Sequence, residues 1–291
     1  MLNIFSKRQF QTEPGDFGLR LVIDSAWSPA YADYMKAHGI AEITVNYARG
    51  FQGDNIDFLR TIPFLRGLLF ISYAVEDGSP INDLHELRSL TVGYIGKTAI
   101  DFGHLPNLEA CYMVRGIKYV GLHTLKKITN LSFSNYQEKT IVPLLGLTTL
   151  ERLGLSTSQI TSLAGISQLT NLSALMLANL TKLTSLHGID GLKNLETLEI
   201  SGCRKIGSIR ELENLRRLKR LELIRCGEIE SLKPLTGLPM LEKFYFYEDT
   251  NIMDGDISVL ETLPMLNHTA FKNRKHYTHI CDETQKIIKK T

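Results

Sequence analysis

Two adjacent stretches of this chain repeat the same pattern of leucines, and this repetition limits the folds open to it. LETLEISGCRKIGSIRELENLRR begins at Leu195, and LKRLELIRCGEIESLKPLTGLPM follows it directly from Leu218. A unit of this length cannot bury its own apolar face, so it must stack against copies of itself. The repetition therefore predicts a solenoid, in which an extended surface rather than a deep pocket carries the function.

The pattern LxxLxL recurs along most of the chain at intervals of 20 to 25 residues. It starts at Leu65, Leu87, Leu108, Ile128, Leu150, Leu172, Leu195, Leu218, Leu241 and Leu266. Two looser copies are predicted before these, one with Leu19, Leu21 and Ile23 and the other with Ile40, Ile43 and Val45.

Each copy combines two spacings of apolar residues. In LERLGLS, Leu153 and Leu155 alternate with polar neighbours, as expected for a strand with one buried face. Ile160, Leu163 and Ile166 then follow three residues apart, a spacing that suits short 3₁₀ turns better than a full α-helix. Every copy is therefore expected to contribute one strand and one irregular or 3₁₀ return.

This pattern resembles the leucine-rich repeat family, in the form near 22 residues found in internalins and phosphatase regulatory subunits. The resemblance implies an α/β solenoid, an arch with a parallel β-sheet on its concave side and mostly 3₁₀ or irregular turns on its convex side. Open sheet ends need caps. We expect an N-terminal cap with a degenerate first coil over 1–39, the repeat solenoid over 40–273, and a C-terminal cap or tail over 274–291.

Both caps are predicted to contain helix. At the N-terminal end, the candidate helix includes Trp27 and the segment from Tyr31 to Met35. At the C-terminal end, residues 276–290 are interpreted as an exposed helix over the last coil, with Ile280, Ile287 and Ile288 facing inward.

Composition sets limits on location and partners. The formal net charge of +2 gives no overall attraction to nucleic acid or membrane. The apolar run at the start of the chain is too short for a secretion signal, and the longest apolar stretch, 62–75, contains Arg66 and is shorter than the roughly 20 residues of a spanning helix. Four cysteines are too few for a disulfide scaffold. We therefore expect a soluble cytoplasmic protein.

The residues that could carry chemistry also have structural interpretations. Cys203 and Cys226 stand eight residues after their repeat starts, where the family resemblance implies an inward Asn or Cys, so they are interpreted as structural thiols. His276, His279 and Cys281 could bind zinc, but no second regularly spaced pair accompanies them. The chain has no nucleophile elbow, phosphate-binding glycine loop or HExxH motif. We predict no catalytic residue, metal or cofactor; an enzyme with a non-local site is an alternative.

The resemblance implies that the variable positions of LxxLxLxx point out from the concave sheet and bind partners. The position after the first leucine gives an alternating ladder, interpreted as structural: Glu109, Thr129, Glu151, Ser173, Glu196, Lys219 and Glu242. The position between the second and third leucines gives Leu69, Thr91, Tyr112, Ser132, Gly154, Met176, Glu199, Glu222 and Tyr245. Here Glu199 and Glu222 are predicted neighbours of like charge, either because function requires it or because Arg220 and Lys243 neutralise them.

Tyrosine and arginine, the residue types enriched in binding hot spots, gather at the C-terminal end of the predicted face. A second group, Tyr47, Leu69, Ile71, Tyr94 and Tyr112, is predicted toward the N-terminal end. The predicted partner-binding residues are Tyr112, Met176, Glu199, Glu222, Ile224, Arg225, Tyr245, Tyr247, Tyr94 and Tyr47. Exposed tyrosines can also simply cover backbone.

These observations favour a non-catalytic intracellular scaffold that captures a protein partner on its concave face. It could regulate an enzyme, or act as an immunity-type protein that sequesters a toxin. Nucleic-acid binding through the basic stretch 204–220 is an alternative, weakened because the basic residues fall on different faces and are mixed with Glu211 and Glu213.

Overall fold

The computed structural model describes residues 10–96, 98–114, 117–282 and 288–290. The chain forms two compact units, Met1–Ile128 and Thr129–Thr291. Each is built from stacked coils, in which one short strand is followed by a turn and a return segment that leads to the next strand. The predicted solenoid with a parallel sheet and 3₁₀ turns is confirmed in both units.

The first unit contains eight strands in its described part. Six form its main sheet, in the order β1 (Gln11–Pro14), β2 (Leu19–Ile23), β3 (Glu42–Asn46), β4 (Gly67–Ile71), β5 (Ser89–Gly93) and β7 (Ala110–Val114). Strand β1 is antiparallel to β2, and all later neighbours are parallel. The short strands β6 (Ile100–Asp101) and β8 (Tyr119–Val120) pair separately. The two looser repeats predicted at the start of the chain are therefore real coils, carried by β2 and β3.

The second unit continues the same plan. Its main sheet contains β9 (Asn130–Ser134), β10 (Arg152–Ser156), β11 (Ala174–Ala178), β12 (Thr197–Ser201), β13 (Arg220–Ile224), β15 (Lys243–Tyr247) and β17 (His268–Phe271), all parallel. A minor pair is formed by β14 (Glu228–Ile229) and β16 (Asn251–Ile252). Each strand follows its neighbour in sequence order.

Among the described residues, the return segments are tight turns and one α-helix. Helix α1 (Pro29–His38) contains Tyr31 to Met35 as predicted, whereas Trp27, also predicted to lie in this helix, precedes its first residue. The 3₁₀ helices are Tyr47–Arg49, Asp57–Thr61, Ser79–Asp83, Phe102–His104, Leu122–Thr124, Val142–Leu144, Ile166–Gln168, Ile189–Gly191, Arg210–Leu212, Lys233–Gly237 and Ser258–Thr262. The spacing of three has a direct cause, because Leu192 N–H donates to Ile189 O at 2.9 Å and Leu195 N–H to Leu192 O at 3.0 Å.

The core lies between the strands and the return segments. In β12, Leu198 and Ile200 are completely buried, whereas Thr197, Glu199 and Ser201 are partly exposed on the opposite side. A fully buried leucine contributes roughly 1.5–3 kcal/mol of hydrophobic stabilisation, and every coil supplies several. Because the buried residues alternate with partly exposed ones, one side of the sheet does not contribute to the core.

Successive coils are locked in one register. Thr197 N–H donates to Ser173 O at 3.0 Å, and Arg220 N–H donates to Glu196 O at the same distance. Equivalent positions of the repeat therefore stand directly opposite each other on neighbouring strands, as Thr197 and Arg220 do. A ladder read from the sequence is thus a physical column of side chains.

A buried carboxylate fixes the start of the first unit. Glu42, on β3, is 1% exposed and accepts hydrogen bonds from the backbone N–H groups of Asp16 (2.8 Å) and Phe17 (2.6 Å). It also pairs with Arg20 at 3.0 Å. These contacts fasten the β1–β2 turn to the neighbouring coil, since a buried charge must be paired to be tolerated.

The C-terminal segment differs from the predicted helix. Its described part pairs β18 (His279–Cys281) antiparallel with β19 (Ile288–Lys290). The prediction of an inward Ile280 is wrong, because this side chain is 36% exposed while its neighbour His279 is buried. Burial that alternates with period two is the mark of a strand. Ile287, also predicted to face inward, lies outside the described residues.

Candidate functional site

The exposed side of the second unit's sheet presents three columns of side chains, with Glu199 and Tyr245 in the middle one. The middle column runs Ser132, Gly154, Met176, Glu199, Glu222, Tyr245 and Ala270, as predicted as far as Tyr245. The outer column at the strands' carboxyl ends runs Ser134, Ser156, Ala178, Ser201, Ile224 and Tyr247. Small residues fill the first coils, and larger ones fill the last.

Glu199 and Glu222 stand directly opposite each other on β12 and β13, as predicted from the repeat. The guanidinium of Arg220 contacts both carboxylates: Nε lies 3.8 Å from Glu199 Oε1, and an Nη atom makes a close ion pair with Glu222. Burial and the charge of Glu222 raise the pKa of Glu199, and Arg220 opposes that rise. Of the two residues predicted to neutralise the pair, Arg220 does so in part, whereas no ion pair between described residues joins Lys243 to either carboxylate.

Two tyrosines complete this cluster. Tyr245 stands beside Glu222, with the guanidinium carbon of Arg220 5.6 Å from its ring centroid, and Tyr247 stands beside Ile224. Both tyrosines are half-buried. We call the set Glu199, Arg220, Glu222, Tyr245 and Tyr247 the Tyr245 patch. Four of its members line an open cleft of about 570 Å³, all except Glu199, and β17 closes the far wall with Ala270 and Phe271.

Arg225 lies directly after β13, in the backbone turn that follows the strand. Its φ is +52°, and the equivalent Glu248 has a φ of +61°. In earlier coils this position is held by Asn135, Asn179 or Gly202, which adopt left-handed backbone readily, and by Tyr94 and Thr157, which do not. Arg225 Nε pairs with Glu248 Oε2 at 3.0 Å. Arg225 and Glu248 are therefore long charged residues at positions where the left-handed backbone is unfavourable for them.

The remaining predicted residues lie in different places. Met176 is opposite Glu199 on β11 and is 48% exposed, so it borders the Tyr245 patch. Tyr112 lies on the exposed side of β7 in the first unit and is 42% exposed. Tyr47 and Tyr94 instead lie just beyond the carboxyl ends of β3 and β5.

Sequence reasoning missed two sets of residues. One is the column at the amino ends of the strands, of which only Arg220 and Lys243 were considered, as partners of the glutamates. Period-two alternation across LxxLxL could have revealed its other members, Asn130, Arg152, Ala174, Thr197 and His268. The other is Tyr73, which is 57% exposed and lies between Tyr47 and Tyr94, with ring centroids at 4.8 and 3.9 Å. In the ladder interpreted as structural, Lys219 pairs with Glu196 at 2.8 Å.

The thiols are structural. Cys111, Cys203 and Cys226 are buried and free. Cys226 Sγ–H is positioned to donate to Ile200 O at 3.3 Å, and Cys203 Sγ–H to Ser201 O at 3.5 Å. Burial raises the pKa of Cys226 to about 12 and also raises those of Cys203 and Cys111, so the reactive thiolate is disfavoured.

The histidine-containing tail forms packing contacts. His276 Nε2 lies 3.0 Å from Ile252 O, and buried His279 faces Glu261 at 3.2 Å. Cys281 Sγ contacts the carbonyl of Thr269 at 3.6 Å. Within residues 10–96, 98–114, 117–282 and 288–290, no group of three or more His, Cys, Asp or Glu side chains could hold a metal ion.

The basic stretch 204–220 is largely occupied by internal ion pairs. Arg204 pairs with Asp249 at 2.9 Å, and Arg217 and Lys219 both pair with Glu196. Guanidinium groups already paired with carboxylates are poorly placed to neutralise phosphates. This arrangement argues against the nucleic-acid alternative. In the part of the chain that is described, no helix has the length and apolar character needed to span a membrane.

Solved structures with the same fold are leucine-rich repeat proteins. An internalin of Listeria monocytogenes, InlF, superposes with a TM-score of 0.59 at 20% identity, covering 88% of this chain and 83% of that one. Internalin C2 of the same bacterium gives 0.50 at 23% identity, over 67% and 83% of the two chains.

A third neighbour comes from a plant. The ectodomain of the Arabidopsis thaliana receptor kinase GASSHO1/SCHENGEN3, in complex with Casparian strip integrity factor 2, gives a TM-score of 0.52 at 16% identity, over 87% of this chain and 33% of that one. No family model matches the chain, and no curated protein matches it in sequence. At these identities the likeness establishes the fold alone.

Proposed function

Because the chain has the leucine-rich repeat fold, we propose that it is a non-catalytic scaffold that binds a protein partner on the exposed side of the second unit's sheet. The observation that carries this proposal is the Tyr245 patch, where two half-buried tyrosines and an arginine line one cleft of about 570 Å³. Tyrosine and arginine dominate binding hot spots, which lie in well-packed centres surrounded by weaker contacts.

The rigidity of the sheet supports this assignment. Phe244 and Phe246, on the reverse side of β15, are completely buried, and they hold the strand that carries Tyr245 and Tyr247. A side chain held by a rigid strand loses little conformational entropy on binding, and tyrosine has only two side-chain torsions to fix. The patch is therefore organised before a partner arrives.

A protein interface of ordinary size covers about 800 Å² on each side, more than the cleft alone. Met176, Ile224 and Arg225 border the Tyr245 patch and are proposed to form the surrounding contacts. On the first unit, Tyr112, Tyr94 and Tyr47 are proposed as separate contact residues. Mixed charge favours a specific protein over a generic polyanion, since Arg220, Glu199 and Glu222 present both signs within one cluster.

The proposed role is to regulate an enzyme or to sequester a toxin as an immunity-type protein, and the proposed location is the cytoplasm. The plant ectodomain above was solved in complex with another molecule, which supports binding as a use of this fold. The identity of the captured partner decides between the two roles.

Affinity capture from the cell extract of the source organism tests the proposal. The intact chain is compared with the double variant Tyr245→Ala/Tyr247→Ala and with the control Val142→Ala/Met240→Ala, which truncates two exposed apolar side chains in the turns of the same unit. We expect the first variant to lose a specifically captured protein and the control to retain it, with both melting close to wild type. Equal capture by both variants would contradict the proposed site.

A further inference from the structure

A small cleft in the first unit has aromatic walls and lies next to the carboxylate of Glu76. It measures about 280 Å³, and Tyr73 and Tyr94 form its walls. Its base is apolar, formed by Val75, Ile95 and Ile117, which are all buried. Ligand pockets for whole small molecules usually measure about 300–1,000 Å³, so this cleft suits a single side chain.

The rings present an open aromatic surface. Tyr73 is 57% exposed although its centroid lies 3.9 Å from that of Tyr94, and Tyr47 meets it edge-on at 4.8 Å. Tyr94 holds a φ of +59°, the left-handed conformation that the chain adopts at this position of most coils, which sets its ring just beyond the end of β5. The exposed face of an aromatic ring attracts cations.

Glu76 brings negative charge to the same cleft. A Cβ placed on Gly96, which lines the cleft, would lie 2.7 Å from Glu76 Oε2, so the carboxylate lies next to a lining residue without itself lining the cleft. Within the described part of the chain, no hydrogen bond or ion pair engages this carboxylate. The adjacent Asp77 is instead bound by Ser79 and Thr98. An aromatic wall beside an unpaired carboxylate is complementary to an organic cation.

At two other places in this protein, an aromatic ring and a carboxylate together contact an arginine of the chain itself. Arg88 lies over Phe17 at 4.5 Å and forms two hydrogen bonds to Glu109, at 2.8 and 2.9 Å. Arg220 likewise lies over Tyr245 and pairs with Glu222. In both, a planar guanidinium contacts a ring and a carboxylate together, which lysine does less well.

We propose that the cleft walled by Tyr73 and Tyr94, together with the adjacent Glu76, binds an arginine side chain presented by a partner polypeptide. The guanidinium lies against the ring of Tyr73 and donates to the Glu76 carboxylate, while its methylene stem covers Val75 and Ile95. This site is in the first unit and is independent of the proposed function of the Tyr245 patch.

Titration of the full chain with N-acetyl-arginine amide, followed by NMR of the tyrosine ring resonances, tests the site. We expect saturable shifts of Tyr73 and Tyr94 at millimolar concentrations, and about five-fold weaker binding of the neutral isostere N-acetyl-citrulline amide. Equal binding of arginine and citrulline amides, or no saturable shift with arginine amide, would overturn the proposal. Tighter binding of methyl glucoside would instead assign the aromatic wall to a carbohydrate.

Two variants locate the effect. Glu76→Gln and Tyr73→Leu should each weaken arginine amide binding about five-fold. The matched control is Glu86→Gln, an exposed carboxylate in the same unit, which should bind as wild type does. Because Glu76 and Tyr73 are exposed, both variants should keep the wild-type melting temperature. Unchanged affinity in a folded Glu76→Gln variant would contradict the assigned role of this carboxylate.

Discussion

Glu199 and Glu222 are directly opposed on adjacent parallel strands, and a single guanidinium, that of Arg220, contacts both. Two negative charges therefore share one positive charge at the centre of the second unit's exposed face. Like charges on opposed strand positions are destabilising. The excess charge weakens the fold slightly, and that cost can be measured.

Glu199→Gln should stabilise the protein by about 0.5 kcal/mol at pH 7, because it removes the like-charge pair. Because the folded-state pKa of Glu199 is raised, the folded protein favours the neutral carboxyl. The stability that this neutral form contributes is fully present below the unfolded pKa of about 4.3 and is lost as pH rises through the folded pKa. The stabilisation of Glu199→Gln relative to wild type should therefore nearly vanish at pH 4. Urea denaturation of wild type and variant at both pH values measures it.

Glu222→Gln is the control for this experiment. Glu222 makes the closer ion pair with Arg220, so its neutralisation should give no gain at pH 7. Equal stabilisation by Glu199→Gln and Glu222→Gln would contradict the prediction, because it would show that the closer ion pair of Glu222 with Arg220 makes no difference to stability.

Arg225→Asn should stabilise the chain by about 0.5 kcal/mol, because Asn tolerates the left-handed backbone at φ +52° better than Arg does. The lost ion pair with Glu248 is exposed and is worth about 0–1 kcal/mol. The same variant should weaken partner capture. Thermal melting alongside the capture assay tests both, and a stabilised variant with full capture would remove Arg225 from the site.

Gly202→Ala should act in the opposite direction. Gly202 has φ +67°, and an added Cβ would lie 2.3 Å from Asn179 Oδ1. We expect a loss of about 1 kcal/mol, seen as a lower melting temperature.

Cys111, Cys203 and Cys226 should resist alkylation in the native protein, since burial both blocks access and raises their pKa values. The half-exposed Cys281 should react at least about 100-fold faster. Timed iodoacetamide labelling with mass spectrometry resolves each site, and labelling in urea provides the control in which all four react. Fast labelling of Cys203 would contradict its structural role.

Glu42→Gln should cost about 2 kcal/mol, because charge-assisted hydrogen bonds to two backbone N–H groups and the pairing with Arg20 are weakened. Hydrogen exchange at the amides of Asp16 and Phe17 should accelerate. The exposed Glu86→Gln variant should change neither measurement.

The fold could be predicted because two simple periods specify it. Alternation at Leu153 and Leu155 gives β10, and the spacing of three that follows gives 3₁₀ turns. The C-terminal segment was missed because His279–Cys281 pairs with Ile288–Lys290 further along the chain, a contact that local periodicity does not encode.

The site could be predicted only where the repeat sets the geometry. The opposition of Glu199 and Glu222 follows from counting residues, and it is confirmed. The contacts of Arg220 with both carboxylates and with Tyr245 depend on side-chain conformations, which the repeat leaves open. Tyr73 was missed because it lies two residues beyond Ile71, the last residue of β4, and so outside the columns that the repeat defines.

The strict register has a consequence for how such a chain can change over generations. Residues 195–217 and 218–240 are equivalent coils, so recombination that deletes one of them would leave neighbouring strands able to pair and the buried leucines still stacked. Loss of 218–240 would set Glu199 directly beside Tyr245 and remove Arg220 altogether. The number of repeats can therefore change while the fold is kept. Each deletion of a coil changes, in a single step, which side chains are neighbours on the exposed face.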